Sequence, residues 1–374
     1  MSQDTKVIAF YLPQFHATPE NDEWWGKGFT EWTNVKNAKP LYEGHDQPKV
    51  PLNENYYNLL DDDVKKWQVQ IAKENGVYGF CFYHYWFGGK LMLHKPLEQY
   101  LDNKNLDLPF CFCWANPPWT KVWMGQSSTI LIDQDYGDKD QWEEHFQYLL
   151  PFLKDDRYIK EAGCPLFVIY MPDQIPCLEE MLSYYRERAI EEGFKGIKLA
   201  YQYWVDDATD GRIRPLFDYC IKFQPIYALQ KLEGSGKTGA LVGLLKKMDK
   251  LFYKAFKVAP SDKMLRVRKS DYDKVWETIL SEPVKPKDIP CAFVDFDNTP
   301  RRGQSGKLMV GASPEKFEKY LRQLIIKGRE KCQTDYVFMT AWNEWSEGAY
   351  LEPDTEDGYG YLNAIRRIVR GNEL

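Results

Sequence analysis

The sequence is short of several things, and each shortage closes off a class of protein. No stretch reaches the ~20 uninterrupted apolar residues that a spanning helix needs. The start, Met1-Ser-Gln-Asp-Thr-Lys-Val-Ile-Ala-Phe10, has no long apolar run behind a charged head, so a cytoplasmic protein is expected. There is no C-x-x-C pair. The eight cysteines, Cys81, Cys111, Cys113, Cys164, Cys177, Cys220, Cys291 and Cys332, sit mostly inside apolar runs of strand length, where a reduced thiol acts as a small hydrophobe. Excess charge is also slight. A net charge of −6 spread over 374 residues argues against a nucleic-acid binder whose whole surface is basic, so any basic partner site must be local. No G-x-G-x-x-G follows the first strand, which removes the case for a dinucleotide. Gly234-Ser-Gly-Lys-Thr238 imitates a phosphate loop, but Lys231 stands where that pattern needs glycine. No cofactor is expected.

Aromatic residues are abundant: 16% of the chain, including 13 Trp and 25 Tyr. Core packing accounts for part of this, yet flat rings with a polar edge also suit the CH-rich faces of sugars. Apolar runs of strand length alternate with amphipathic stretches. The strands are read as Lys6–Tyr11, Gly79–Tyr85, Leu108–Trp114, Pro165–Tyr170, Lys198–Trp204, Tyr219–Phe223, Cys291–Asp295 and Tyr336–Thr340. Helical spacing is read over Leu60–Asn75, Pro96–Leu101, Gln141–Leu153, Leu178–Glu192, Pro314–Lys331 and Tyr361–Val369. Eight strands alternating with helices predict an α/β fold, a single (β/α)₈ TIM barrel over residues 1–374, since no Gly/Ser-rich or Pro-rich linker divides the chain.

Two stretches exceed what a barrel needs. His16–Asn58 is a long first βα loop, expected to lie ordered over the catalytic mouth and carrying Trp24, Trp25 and Trp32. The other is a basic helical insertion at about 230–270, after the sixth strand. Over Gln230–Lys269 it has eleven Lys/Arg against Glu233, Asp249 and Asp262. Its 241–257 part places Leu and Phe on one side and Lys on the other. Such a helix can pack on the barrel with a solvated basic face, or make peripheral contact with a membrane or an anionic partner.

In a barrel the chemistry sits just after the strands. The polar and aromatic residues there are Gln14 and His16; Tyr83, His84, Tyr85 and Trp86; Trp114, Asn116 and Trp119; Tyr170, Asp173 and Gln174; Gln202, Tyr203 and Trp204; Gln224; Asp295, Asp297, Asn298, Arg301 and Arg302; and Trp342, Asn343, Glu344, Trp345 and Glu347. Rings and amides at nearly every strand end read as a sugar cleft, with an oligosaccharide or polysaccharide as substrate. Glycoside chemistry needs two carboxyl groups. Glu344 and Glu347 supply them after the eighth strand, and both can point inward only if the chain turns there, as Gly348 permits. Pairing of one or both with Arg301 or Arg302 is the structural alternative. Asp295-Phe-Asp-Asn298 resembles a metal-holding D-x-D only weakly, and His16, His84 and His94 have no standard ligand spacing, so no metal is expected.

With these residues in view, the chain resembles the WbsX family, also described as glycoside hydrolase family 99-like. Its bacterial genes are often found with O-antigen or capsule genes, and its members are often labelled polysaccharide or lipopolysaccharide biosynthesis glycosyltransferases. The resemblance rests on Phe10-Tyr-Leu-Pro-Gln-Phe-His16, Trp24-Trp-Gly-Lys-Gly-Phe-Thr-Glu-Trp-Thr-Asn34, Tyr83-His-Tyr-Trp86, Asp297-Asn-Thr-Pro-Arg-Arg302, Trp342-Asn-Glu-Trp-Ser-Glu-Gly348 and Leu351-Glu-Pro353. Family 99 enzymes are endo-acting α-mannosidases on a TIM barrel, with paired glutamates at the same spacing. The resemblance implies a retaining reaction in which Glu344 deprotonates the sugar 2-hydroxyl and Glu347 protonates the leaving oxygen. Ser346 stands where those enzymes have His, and Phe296 where the WbsX motif commonly has Trp. A glycosyltransferase and a non-catalytic glycan-binding barrel are the competing expectations.

Overall fold

The computed structural model describes residues 5–120, 130–204, 207–234 and 267–371. Its centre is a nearly closed parallel barrel. The strands are β1 (Lys6–Tyr11), β2 (Val77–Phe87), β3 (Phe110–Trp114), β4 (Cys164–Ile169), β5 (Lys198–Tyr203), β6 (Tyr219–Lys222), β7 (Asp288–Ile289), β8 (Cys291–Phe293) and β9 (Tyr336–Thr340). In space they run β7-β6-β5-β4-β3-β2-β1-β9-β8. Only Pro290 separates β7 from β8. Because proline has no N–H to give to a ladder, one stave is split there: its first half pairs with β6 and its second with β9. The nine segments therefore make the eight staves expected from the sequence.

Parallel strands covered on both faces read as near-continuous apolar runs, and β1, β3 and β9 are buried almost throughout. Phe10, between β2 and β9, packs on Tyr83 and Phe338 at ring separations of 5.6 and 5.3 Å. Outside the barrel lie α1 (Asp62–Glu74), α2 (Lys95–Asp102), α3 (Lys139–Lys154), α4 (Leu178–Glu191), α5 (Asp207–Ile213), α6 (Ile226–Gly234), α7 (Tyr272–Ser281), α8 (Pro314–Lys327) and α9 (Gly360–Arg370). Side-chain caps start several of them. Asp61 accepts from the Asp63 amide at 2.9 Å and Asp138 from the Asp140 amide at 3.1 Å, each satisfying an orphan donor of the first turn.

The helices α5, α6 and α7 were not anticipated, and Arg268–Asp271 pairs with Lys307–Val310 in a separate two-stranded ribbon. The first βα loop is ordered around two short helices, Pro19–Trp25 and Glu31–Asn37. The basic 241–257 segment, and with it the expected contact with a membrane or anionic partner, lies outside the described residues. Among those residues, no helix is long and apolar enough to cross a membrane.

Candidate active site

The chain leaves β9 and makes a tight hairpin in which Asn343–Glu344 pairs with Ala349–Tyr350. Trp345–Glu347 forms one 3₁₀ turn between the two arms, ended by Gly348 in the left-handed region at φ 60°. A 3₁₀ turn has three residues per turn, so positions three apart lie one above the other. This geometry brings Glu344 and Glu347 to the same side. Gly348 is required twice over. Its φ strains any L side chain, and a Cβ there would lie 2.8 Å from the Asp297 amide nitrogen. The hairpin is tied down by Asn343, whose side chain accepts from the Leu12 amide at 2.8 Å and donates to the Leu12 carbonyl at 3.0 Å.

Both glutamates meet Arg301, which is delivered by the short helix Thr299–Arg302. Its Nη2 lies 3.1 Å from Glu344 Oε2 and its Nη1 lies 2.5 Å from Glu347 Oε1. A third carboxylate joins them. Glu31, the first residue of the helix Glu31–Asn37, accepts from Arg301 Nε at 3.3 Å and from the Ser346 hydroxyl, and its Oε2 lies 3.1 Å from Arg301 Nη2 as an ion pair. Burial alone would weaken the guanidinium's hold on its proton, but Glu31, Glu347 and Glu344 more than offset this and raise its pKa. The Glu344 carboxyl is raised to about 8: burial is the largest cause, Arg301 opposes it, and Glu347 and Glu31 add to the rise. One guanidinium thus faces three acids, and Glu344 is poised to exchange a proton near neutral pH.

These groups form one side of a cleft of about 440 Å³ at the carboxyl ends of the strands. Of the residues expected from sequence, Gln14, Trp25, Tyr83, Tyr85, Trp119, Tyr170, Trp204, Asn298, Arg301, Arg302, Glu344 and Glu347 line it. Phe29, Glu31, Asn34, Met171, Phe223 and Phe296 line it as well.

The other expected residues are placed elsewhere. Successive strand residues face opposite ways. Tyr83 and Tyr85 therefore face the cleft, whereas His84 and Trp86 point outward to α3. His84 Nε2 lies 2.9 Å from His145 Nε2, and Trp86 stacks on the His145 ring at 4.9 Å. Burial lowers the His84 pKa to about 3. Trp114 packs edge-on against His145 at 4.8 Å, and Asn116 braces the neighbouring strand end through the Met171 amide and carbonyl, both at 2.8 Å. Tyr203 packs on Tyr227 at 5.5 Å, while Gln202 is buried within the barrel. Trp24 packs on Trp119, one layer from the cleft. Trp32 and Trp345 pack together at 5.3 Å behind the glutamates, and Trp342 is enclosed against Phe80. His16 is buried, its pKa lowered to about 4, chiefly by desolvation.

The D-x-D pair does not face the cleft. Asp297 accepts from Gln47 Nε2 at 2.7 Å and lies 2.8 Å from His45 Nε2, fastening the first loop to the end of β8. Asp295 accepts its neighbour's amide, that of Phe296, at 2.7 Å. The tightest acidic group among the described residues is Asp354, Glu356 and Asp357, where Lys49 already pairs with Glu356 at 2.5 Å.

Glu31 is the residue of greatest consequence that the strand-end reading passed over. It lies far along the first loop. The available signal was an acid held between Phe29 and Trp32 at the start of a helix, with Thr30 as its cap.

The sequence profile described as "Glycosyltransferase WbsX" matches residues 7–365. The chain belongs to the WbsX family. A curated relative from Xanthomonas campestris pv. campestris, the uncharacterized protein WxcX, is 34% identical over 373 residues, covering 97% of this chain and 49% of the relative. The chain thus spans about half the length of the curated relatives it matches. Among solved structures, the family 99 endo-alpha-mannosidase of Bacteroides thetaiotaomicron aligns with a TM-score of 0.56 at 14% identity, over 97% of this chain and 96% of that one. A glycoside hydrolase-like protein aligns with a TM-score of 0.61 at 13% identity, over 98% and 94%. At such identities the likeness is one of fold. This WbsX chain therefore shares the barrel fold of these structures.

Proposed function

We propose that this WbsX chain is a carbohydrate-active enzyme, a retaining endo-glycosidase or transglycosylase acting on an α-linked, mannose-like glycan. The observation that carries this reading is the carboxylate pair Glu344 and Glu347 beside one buried guanidinium, in an aromatic-lined cleft at the strand ends. Family membership and the glycoside hydrolase-like fold support it. In the proposed reaction Glu344 takes the proton of the sugar 2-hydroxyl, O2 attacks C1, and the bond from C1 to the leaving oxygen breaks as Glu347 protonates that oxygen. In the second half Glu347 takes a proton from the acceptor, whose oxygen attacks C1. The bond from C1 to O2 then opens, and Glu344 returns its proton to O2. Two displacements at C1 retain the anomeric configuration. The acceptor can be water or a second sugar.

The test uses α-linked mannose, rhamnose and related oligosaccharides, with the product anomer followed by NMR. Glu344→Gln and Glu347→Gln are each expected to lower kcat/KM by roughly 10²-fold or more, as loss of a general acid or base does. A loss under tenfold in both would sink the reading. The family's description as a glycosyltransferase favours one alternative, which we would place in O-antigen or capsule assembly and for which metal-dependent binding of a nucleotide sugar would decide. Glycan binding without turnover, unchanged by either substitution, would mark a non-catalytic glycan-binding barrel. A cytoplasmic setting belongs to the same proposal.

A further inference from the structure

The two acids of the hairpin share a guanidinium with a third acid, and the third is the best fastened of the three. Glu31 is 4% exposed. One of its oxygens, Oε2, accepts from Arg301 Nε and the Ser346 hydroxyl and is ion-paired with Arg301 Nη2. Its backbone is fastened too: the Glu31 amide donates to the Gln14 carbonyl at 3.2 Å, and the Ser346 hydroxyl reaches the Glu31 carbonyl at 3.3 Å. Glu31 therefore ties together three segments distant in sequence: the loop after β1, the helix carrying Arg301 and the hairpin carrying Glu344 and Glu347.

A guanidinium presents two donor edges inclined to each other, the side made by Nε and Nη2 and the end made by Nη1 and Nη2. Glu31 engages the edge made by Nε and Nη2. The end made by Nη1 and Nη2 is thereby turned toward the hairpin, with Nη1 on Glu347 and Nη2 on Glu344. In Glu31→Gln the side edge would lose its acidic partner, and with it one of the contacts that hold the end edge across both glutamates. The two hairpin acids would then differ in charge environment from those seen here.

We propose that Glu31 is a positioning residue: with Ser346 it orients Arg301 so that one guanidinium is divided between Glu344 and Glu347. This rests on the assignment of those two glutamates as the reacting pair. Glu31 reaches the cleft wall but acts through Arg301. The groups that face Glu344 are Arg301, Glu347 and Glu31 in the cluster, and Tyr83, Tyr85 and Tyr170 on the opposing strand ends. Loss of the Glu31 charge removes an acid that holds the Glu344 proton on, which favours the carboxylate as long as Arg301 stays beside it.

The test compares Glu31→Gln, Glu31→Asp and Ser346→Ala in the full chain, with two readouts. The first is a ¹³C-carboxyl NMR titration of Glu344, its signal assigned by its loss in Glu344→Gln, which needs no turnover. In Glu31→Gln the midpoint is expected to move to lower pH by roughly half a pH unit or more, with Ser346→Ala moving it the same way by less and Glu31→Asp partly restoring it. The second is kinetics on the screened glycan, where Glu31→Gln should lower kcat by roughly 10- to 100-fold with KM within about twofold, the mark of an interaction made chiefly in the transition state. An unmoved Glu344 titration in folded Glu31→Gln and in Ser346→Ala overturns the positioning role. If the titration moves while Glu344→Gln stays active, the clamp stands and the catalytic reading falls. If Glu31→Gln does not fold, Ser346→Ala and Glu31→Asp decide alone, and an unmoved titration in both overturns the proposal.

Discussion

Arg301 shows how much at the site depends on single groups. A buried cation held by three carboxylates cannot be removed quietly, because the acids would be left uncompensated in a poorly solvated place. Arg301→Met is expected to cost roughly 3 kcal/mol of stability and to lower activity by about 10²-fold or more, read by denaturant melts and steady-state kinetics. The same arrangement sets the pH profile. Burial raises the Glu344 carboxyl to about 8, and a base must be ionised to act. The base limb of kcat/KM for the free enzyme is therefore expected to rise with pH through about 8, until loss of the leaving-group acid's proton brings the rate down. A limb that instead falls through that pH would assign Glu344 as the acid. Little of this was legible beforehand. The two glutamates stood out because the chemistry requires a pair and Gly348 announced a turn. The third acid did not, because its role depends on contacts with Arg301 and Ser346, 270 and 315 residues further along the chain.

At the level of elements, β2 and the hairpin after β9 show where pattern reading succeeds and where it stops. All four residues Tyr83, His84, Tyr85 and Trp86 were expected in the cleft, yet the period of two sends alternate ones to opposite faces. His84 and Trp86 went to the packing layer with His145. The pattern was available in sequence; what hid it is that β2 is buried on both faces, so polarity does not alternate along it. The hairpin depends on backbone geometry instead. Gly348→Ala is expected to destabilise the fold by about 1–2 kcal/mol through its positive φ and the clash with Asp297. Because the same turn aligns the two glutamates, the variant should also lose activity out of proportion to its melting temperature. Near-normal kcat/KM in Gly348→Ala would show that the turn tolerates the displacement.

For the molecule as a whole, several buried acids bind protons more tightly when folded than when unfolded. Burial raises Glu344 to about 8, and Asp295 and Glu352 to about 7. For each, the stabilising effect is complete below the ordinary carboxyl value and is lost as pH rises through the folded value. His16 and His84, lowered to about 4 and about 3, act in the opposite sense, but only below the ordinary histidine value of 6.5. Glu143, lowered to about 2 by Arg188, acts lower still. Between pH 6.5 and 8.5 the raised carboxyls dominate, and stability should fall by on the order of 3 kcal/mol. Glu352, which accepts from Trp345, Tyr57 and Gln68 beneath the hairpin, supplies part of that slope. A shallower decline of the melting temperature over this range in Glu352→Gln would confirm its share; an unchanged slope would assign it to Glu344 and Asp295.

Much of the architecture could be read directly from the chain. Strand-length apolar runs alternating with amphipathic stretches have one economical solution, a parallel sheet closed on itself, because each strand must bury both faces and each crossover must cover one. Pro290 split the seventh stave without changing that answer. The family motifs and the carboxylate pair were equally local in signal. What the sequence could not decide is which side of each strand faces the cleft, and which distant acid completes the cluster around Arg301. Those outcomes depend on where the first loop returns across the barrel mouth, and only the folded chain brings Glu31, Arg301, Glu344 and Glu347 within reach of one another.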